Sequence, residues 1–291
     1  MIQRGKLALM LSAIVLVGVF FILPLGMAFY QSLKLDGAWS LRNYADLFTV
    51  PFSRSIWTTL SISVATTVIT ILVSIPACNF VASKGGRFGS IFFAGMALAF
   101  TLSILTRTLA WQILLARNGF VNTLLMQAGL TEKPLDLLYT RGAVLVAMVQ
   151  VFIPYAAMVL YAGMRGIDRS LIMASRTLGA SAMQTFWHAY WPQFKGSLVL
   201  AVMIVFAGCV GSFVVPSVLG GPDDTMFGQL MNNALVNDSV NGAGRASAAG
   251  VLMMLFLTVV LLIGLRIIGT SPTNASPLMA GGRRSATEDA A

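Results

Sequence analysis

Charge is what this chain lacks. Asp, Glu, Lys and Arg make up 10% of its 291 residues, against about 25% in soluble domains, and the deficit excludes a soluble globular fold. Acidic residues are the scarcer sign, ten against nineteen Lys and Arg, and none lies in a long apolar run. Only two cysteines occur, Cys78 and Cys209, both set in apolar sequence. They read as small packing residues, with no disulfide or metal framework. The single histidine, His188, stands apart from any paired carboxylates, metal cluster or nucleophile triad and reads as packing. No Gly-x-x-x-x-Gly-Lys-Ser/Thr loop is present to cradle a nucleotide. Gly281-Gly282-Arg283-Arg284-Ser285 is a remote echo without the spacing, so ATP hydrolysis in this chain is not expected.

What fills the sequence is apolar. Hydrophobic residues reach 57% and the mean hydropathy is +0.83. Runs of roughly 20 apolar residues are the length that crosses a bilayer. Six are expected, at about 7–30, 56–82, 91–115, 143–163, 197–215 and 246–268. Each must be helical, because lipid offers no partner to a bare backbone amide. The first run follows Arg4 and Lys6 as a signal peptide would, but it exceeds the usual 7–15 residue apolar core of one and is read as a span. The expected organisation is a short cytoplasmic amino terminus (1–6), a six-span domain (7–268) and a flexible cytoplasmic tail (269–291), rich in Ser, Thr, Gly, Ala and Pro.

Basic residues set the orientation. With the amino terminus inside, the inner segments hold eleven Lys and Arg against three acidic residues, and the outer segments seven against seven. Both termini are therefore expected in the cytoplasm. The pI of about 10.1 reflects this loop bias; no basic stripe for nucleic acid accompanies it.

Several positions within the spans carry polar groups. The second span has Thr58, Thr59, Ser61, Ser63, Thr66, Thr67 and Thr70. Such residues let helices approach closely, with lining of a polar pathway as the alternative. Lys84-Gly85-Gly86-Arg87 reads as a tight inner turn. Arg107 sits near the outer end of the third span, where it either snorkels to the headgroups or marks a functional site. Trp111 divides similarly between an aromatic belt and a pathway wall. Tyr155 and Phe213 complete the candidate pathway set. Outside the membrane, Leu124 to Ala128 is too short to span and suits an interfacial helix. Gly220-Gly221-Pro222-Asp223-Asp224 is a turn whose carboxylates are at most a weak electrostatic lure.

The longest inner interruption, about 164–196, is the most informative stretch. Asp168 or Ser170 can cap a short helix running to about Leu178. Gly179 follows where a left-handed C′ residue is needed. Ser181 and Gln184 form a Ser-x-x-Gln capping box for a second helix. On it Phe186 and Tyr190 share one face, and Trp187 and Trp191 the adjacent one. Pro192 ends or kinks that helix before the fifth span. An amphipathic hairpin lying in the headgroups is the plainer account of these aromatics.

Spacing here matches a known docking element. Met173-Ala174-Ser175, Gly179, Ala189 and Trp191-Pro192 resemble the signature loop of the integral membrane permeases of binding-protein-dependent ABC importers. That signature runs Glu-Ala-Ala, three residues, Gly, nine residues, Ile-x-Leu-Pro. Met173 replaces the Glu, and Ala189 and Trp191 replace the Ile and Leu. Further stretches, 105–111, 118–122, Pro134-Leu135, Leu138-Tyr139, and Phe213 with Pro216 and Gly220-Gly221, are similar to the spermidine/putrescine-type branch. The resemblance implies a type I importer permease, all-α, in a bacterial cytoplasmic membrane. It forms half of a pathway for a small solute such as a polyamine. Asp168, Met173, Ala174, Ser175, Gly179, Ala180, Ser181, Phe186 and Pro192 would contact the ATPase.

Expected partners are a cytoplasmic ATPase dimer holding Mg-ATP, a second permease subunit of different sequence, and an extracytoplasmic solute-binding protein. No cofactor is expected in this chain. The competing class is an ion-gradient-driven secondary transporter, but such proteins place ionisable residues and internal repeats in their spans. No Asp or Glu lies in the six spans here. A membrane scaffold would leave the Gly–Pro spacing unexplained.

Overall fold

The structure is a computed structural model that describes residues 2–35, 38–47, 50–84, 86–238 and 241–269. It is helical almost throughout. The tail expected at 269–291 lies, from residue 270, outside the described residues.

Helix α1 (Ile2–Ser32) leads into a two-residue hairpin and the short α2 (Arg42–Ala45). There follow α3 (Val50–Lys84), α4 (Gly86–Thr101), α5 (Ile104–Leu115), α6 (Phe120–Gln127) and α7 (Arg141–Arg165). The inner loop holds α8 (Arg169–Thr177), α9 (Ala182–Thr185) and a π-helical turn, Phe186–Tyr190. The turn runs directly into α10 (Trp191–Val210). Last come α11 (Val214–Leu219), α12 (Phe227–Asn237) and α13 (Gly242–Gly269). Five helical runs are long and apolar enough to cross a membrane, and α4 with α5 forms a sixth, bent path.

Two of the six expected spans are corrected. The third is not a straight helix over 91–115: it breaks at Leu102-Ser103, and the two halves diverge by 98°. Neither Pro nor Gly causes the break. Ser103 adopts φ −57°, ψ 141°, and Thr101 Oγ1 donates to Leu98 O at 2.8 Å. Short hydroxyl side chains compete for backbone groups in this way and weaken a helix. The fifth span stops at Val210 instead of running to 215, with Gly211 as its C-cap. Gly is about 1 kcal/mol poorer than Ala inside a helix, and Pro216 favours a fresh start in α11.

The core sits between α3, α7 and α10. Val144, Ala147, Met148, Ala157 and Leu160 of α7 are buried against Cys78, Ala201, Val205 and Cys209. Small residues allow the closeness: a Cβ on Gly163 would meet Ser197 Cβ at 2.3 Å. In a bilayer such packing, without a hydrophobic drive, is what holds helices together. The hydroxyl face of α3 follows the packing alternative. Thr58, Thr59, Ser63, Thr66, Thr67 and Thr70 are buried, and Thr59 Oγ1 accepts the Phe227 N–H at 2.8 Å, satisfying the first free amide of α12. Helices α1 and α13 pack together at the rim, where Phe20, Ile22, Leu255 and Val259 remain exposed.

Candidate functional site

The inner loop is an ordered device fixed at both ends. Asp168 caps α8 by accepting the Ser170 N–H at 2.8 Å. Those hydrogen bonds from Ser170 hold its carboxyl below the ordinary range. Its own N–H donates to Gln193 Oε1 at 2.9 Å, tying the loop to α10. At the other end of α8, Gly179 has φ +82°. Its N–H reaches Arg176 O at 3.0 Å, and the Ala180 N–H reaches Ser175 O at 3.1 Å. This pair of bonds is the Schellman closure that needs a left-handed residue. Ser181 and Gln184 form the reciprocal box, at 3.3 and 2.9 Å. Ser175 Oγ donates to Thr185 Oγ1 at 3.0 Å, locking the two short helices together.

Pro192 neither ends nor kinks the second helix, which departs from the reading of the sequence. Proline cannot donate to the residue four back, and the chain absorbs this beforehand by widening one turn. The Trp191 N–H bonds Phe186 O across the π turn, and Pro192 takes a first-turn position of α10, so the loop's second helix and the span are one continuous rod. Phe186 stacks on Tyr190 at 5.6 Å and 18°, and Trp187 meets Trp191 edge-on at 5.6 Å. His188, exposed, lies 3.0 Å from Gln184 O. Around Gly179 large apolar side chains lie bare beside the exposed Arg176 and Thr177: Leu178 is 88% exposed, and Met173, Met183, Trp187 and Phe186 are exposed too. Met173 therefore stands at the surface, as do Ala174 and Ser181, while Ser175, Ala180 and Pro192 are half-buried.

A second candidate site lies among the long apolar helices. A cavity of about 480 Å³ opens between α5, α7, α10 and α11, lined by Ile104, Phe152, Tyr155, Gly208, Phe213 and neighbouring valines and small residues. It brings Tyr155 and Phe213 together. Phe152 and Gly208 are lining residues the sequence did not single out. A Cβ at Gly208 would meet Phe152 Cε1 at 2.4 Å, so this glycine makes room for the ring. Tyr155 is braced edge-on by Phe100 at 5.0 Å. No carboxylate lines the cavity.

Arg107 and Trp111 are not part of that lining. Arg107 is 8% exposed, and its Nε and Nη1 have no hydrogen-bond partner among the described residues. Those two nitrogens are enclosed by the chain. Trp111, half-buried, packs against the central core. The outer carboxylate Asp224 pairs with Arg141, which cancels its charge as a lure.

Comparison with known proteins follows the same lines. The family profile described as "Binding-protein-dependent transport system inner membrane component" matches residues 4–271. The spermidine/putrescine transport system permease protein PotB of Haemophilus influenzae is 24% identical over 220 residues, covering 76% of this chain and 77% of that protein. PotB of Escherichia coli K12 is 24% identical over 222 residues, with 76% and 81% covered. Among solved structures, a bacterial ABC transporter involved in the import of the acidic polysaccharide alginate superimposes with a TM-score of 0.71. It is 19% identical, with 94% of this chain and 98% of that chain covered. The MetNI methionine ABC transporter gives 0.53 at 18% identity, with 77% and 99% covered.

Proposed function

The chain belongs to the family of inner membrane components of binding-protein-dependent transport systems, and on that premise we propose that it conducts a polyamine. It does so as one half of an importer whose energy enters through residues 167–192. The observation that carries the coupling role is the surface of bare apolar side chains around Gly179, held rigid by the Asp168 cap, the Schellman closure and the Ser181 box. A surface of this kind, continuous with a span through the π turn, transmits a push from a partner straight into α10. The partner is a cytoplasmic ATPase pair that binds Mg-ATP. A second permease subunit completes the pathway, and an extracytoplasmic protein delivers the solute.

Support for a polyamine comes from the PotB likeness and from the cavity's aromatic walls. Ring faces attract ammonium groups by about 0.5–2 kcal/mol each. Phe152, Tyr155 and Phe213 thus supply about 6 kcal/mol at most, before the costs of immobilisation. Micromolar affinity needs about 8 kcal/mol. The cavity is a weak station on the route, and tight recognition resides in the delivering protein.

Reconstitution of the complete importer in vesicles tests this. Spermidine or putrescine uptake is expected to require ATP and the binding protein, and the complex lacking that protein is expected to show no micromolar binding by calorimetry. Uptake of another solute class with polyamines inert, or micromolar affinity in the bare complex, would contradict the reading.

A further inference from the structure

Two recesses meet where α3 and α13 begin. The outer one, about 430 Å³, is lined by Arg42, Asp46, Phe52, Leu230, Arg245 and Ala249, among others. The second, about 140 Å³, has only apolar walls, from Phe52, Ile56, Leu60, Leu252, Met253 and Phe256, with Phe227 behind them. Phe52 belongs to both, so a charged vestibule leads directly onto an oily groove. From Phe52 to Leu60 the groove follows eight residues of helix, about 12 Å at 1.5 Å per residue. That is most of one leaflet of a hydrocarbon core about 30 Å thick.

Two arginines and one carboxylate line the vestibule, and Asp238, bonded to Arg245 beside it, brings the group to two charges of each sign. Arg245 bonds Asp46 at 3.2 Å and Asp238 at 3.1 Å. Arg42 has a 73% exposed side chain and reaches Asp46 only at 4.0 Å. Among the described residues, that is its one ionic contact. The group is neutral overall, so it offers no net field to an anion, yet it holds a guanidinium and a carboxylate side by side. A headgroup that carries a phosphate and an ammonium on one short arm matches that pairing, with the phosphate on Arg42 and the ammonium beside Asp46. Guanidinium–phosphate bonds are charge-assisted and can be bidentate.

We propose that these recesses form a binding site for one phospholipid with a phosphoethanolamine headgroup, its acyl chain lying along Ile56, Leu60 and Phe256. Trp57, Leu255 and Val259 flank the groove at 71%, 53% and 54% exposure, so large apolar side chains surround its mouth. The site is separate from the cavity between α5, α7, α10 and α11, and it stands whatever solute the importer carries.

Native mass spectrometry tests it on the intact importer, released from nanodiscs of equimolar phosphatidylethanolamine and phosphatidylglycerol. One phosphatidylethanolamine is expected to remain on each copy of this chain. Arg42→Ala, at an exposed side chain, is expected to cut that occupancy about tenfold, equivalent to about 1.4 kcal/mol. Leu60→Trp, which fills the groove, is expected to do the same, with assembly and ATP hydrolysis unchanged in both. Retention of phosphatidylglycerol instead, of no lipid, or of equal lipid in wild type and Arg42→Ala would overturn the proposal. So would cross-links showing the second permease subunit seated over Phe256.

Discussion

At Gly179 the constraint within the chain is conformational, because nothing stands within 4 Å of where a Cβ would be. A left-handed non-glycine residue costs about 1–2 kcal/mol, and this backbone cost is similar for Ala and Leu. A difference between the two therefore reports a partner pressed against this spot. Gly179→Ala is expected to retain measurable uptake, whereas Gly179→Leu inserts normally but hydrolyses ATP without transport. Equal behaviour of the two, read as solute moved per ATP, would remove the docking surface from Gly179. Arg107 poses the opposite situation, a buried cation with two donors unpartnered among the described residues. An unsatisfied buried group costs about 1–3 kcal/mol, more when charged, and apolar replacement of buried ionic groups is often neutral or stabilising. Arg107→Met should thus leave the detergent-solubilised Tm unchanged or higher while lowering uptake; a drop of several degrees would show that the guanidinium holds the fold. The sequence made Gly179 legible because its neighbours spell a cap and a box. It could not show that Arg107 is buried, since that depends on how α5 packs against the other helices.

Among the elements, α8 depends on its cap. The Asp168 carboxyl is depressed by its bonds from Ser170. Its contribution is therefore complete above the unfolded carboxylate value of about 3.9 and is lost as pH falls through the lower folded value. Protection factors for the α8 amides, corrected for intrinsic exchange, should fall on acidification below about pH 4, and Asp168→Ala should show low protection at every pH. An acid-insensitive α8 would mean the cap is incidental. Periodicity and capping signals placed α8 and α9, but two features escaped them. The break at Leu102-Ser103 falls in a run where length argued for one straight span, and the hydroxyls of Thr101 and Ser103 were too weak a signal against it. At Pro192 the helix-breaking rule pointed to an ending, yet a π turn before it keeps the rod continuous. Phe186 stacks on Tyr190 and lies against Trp191 along that turn, but residue spacing alone does not announce a change of helical pitch.

For the whole molecule, the rod from Ala182 to Val210 joins the two sites that matter. One end leads from the bare surface around Gly179, and Gly208 near the other end makes room in the cavity beside Phe152. One helix about 44 Å long thus connects the loop to the cavity, the path that the proposed coupling requires. Composition and the Gly–Pro spacing disclosed the six-span class and the loop. The cavity stayed hidden, because Phe152, Tyr155, Gly208 and Phe213 come from three separate segments that only packing unites. Both native cysteines are buried, which leaves an introduced thiol as the accessible one among the described residues. The most direct measurement places a cysteine at Leu178 and cross-links the importer in native membranes. The account predicts a link to the ATPase subunit whose yield changes with ATP; reaction with lipid-borne reagents alone, and no ATPase adduct, would contradict it.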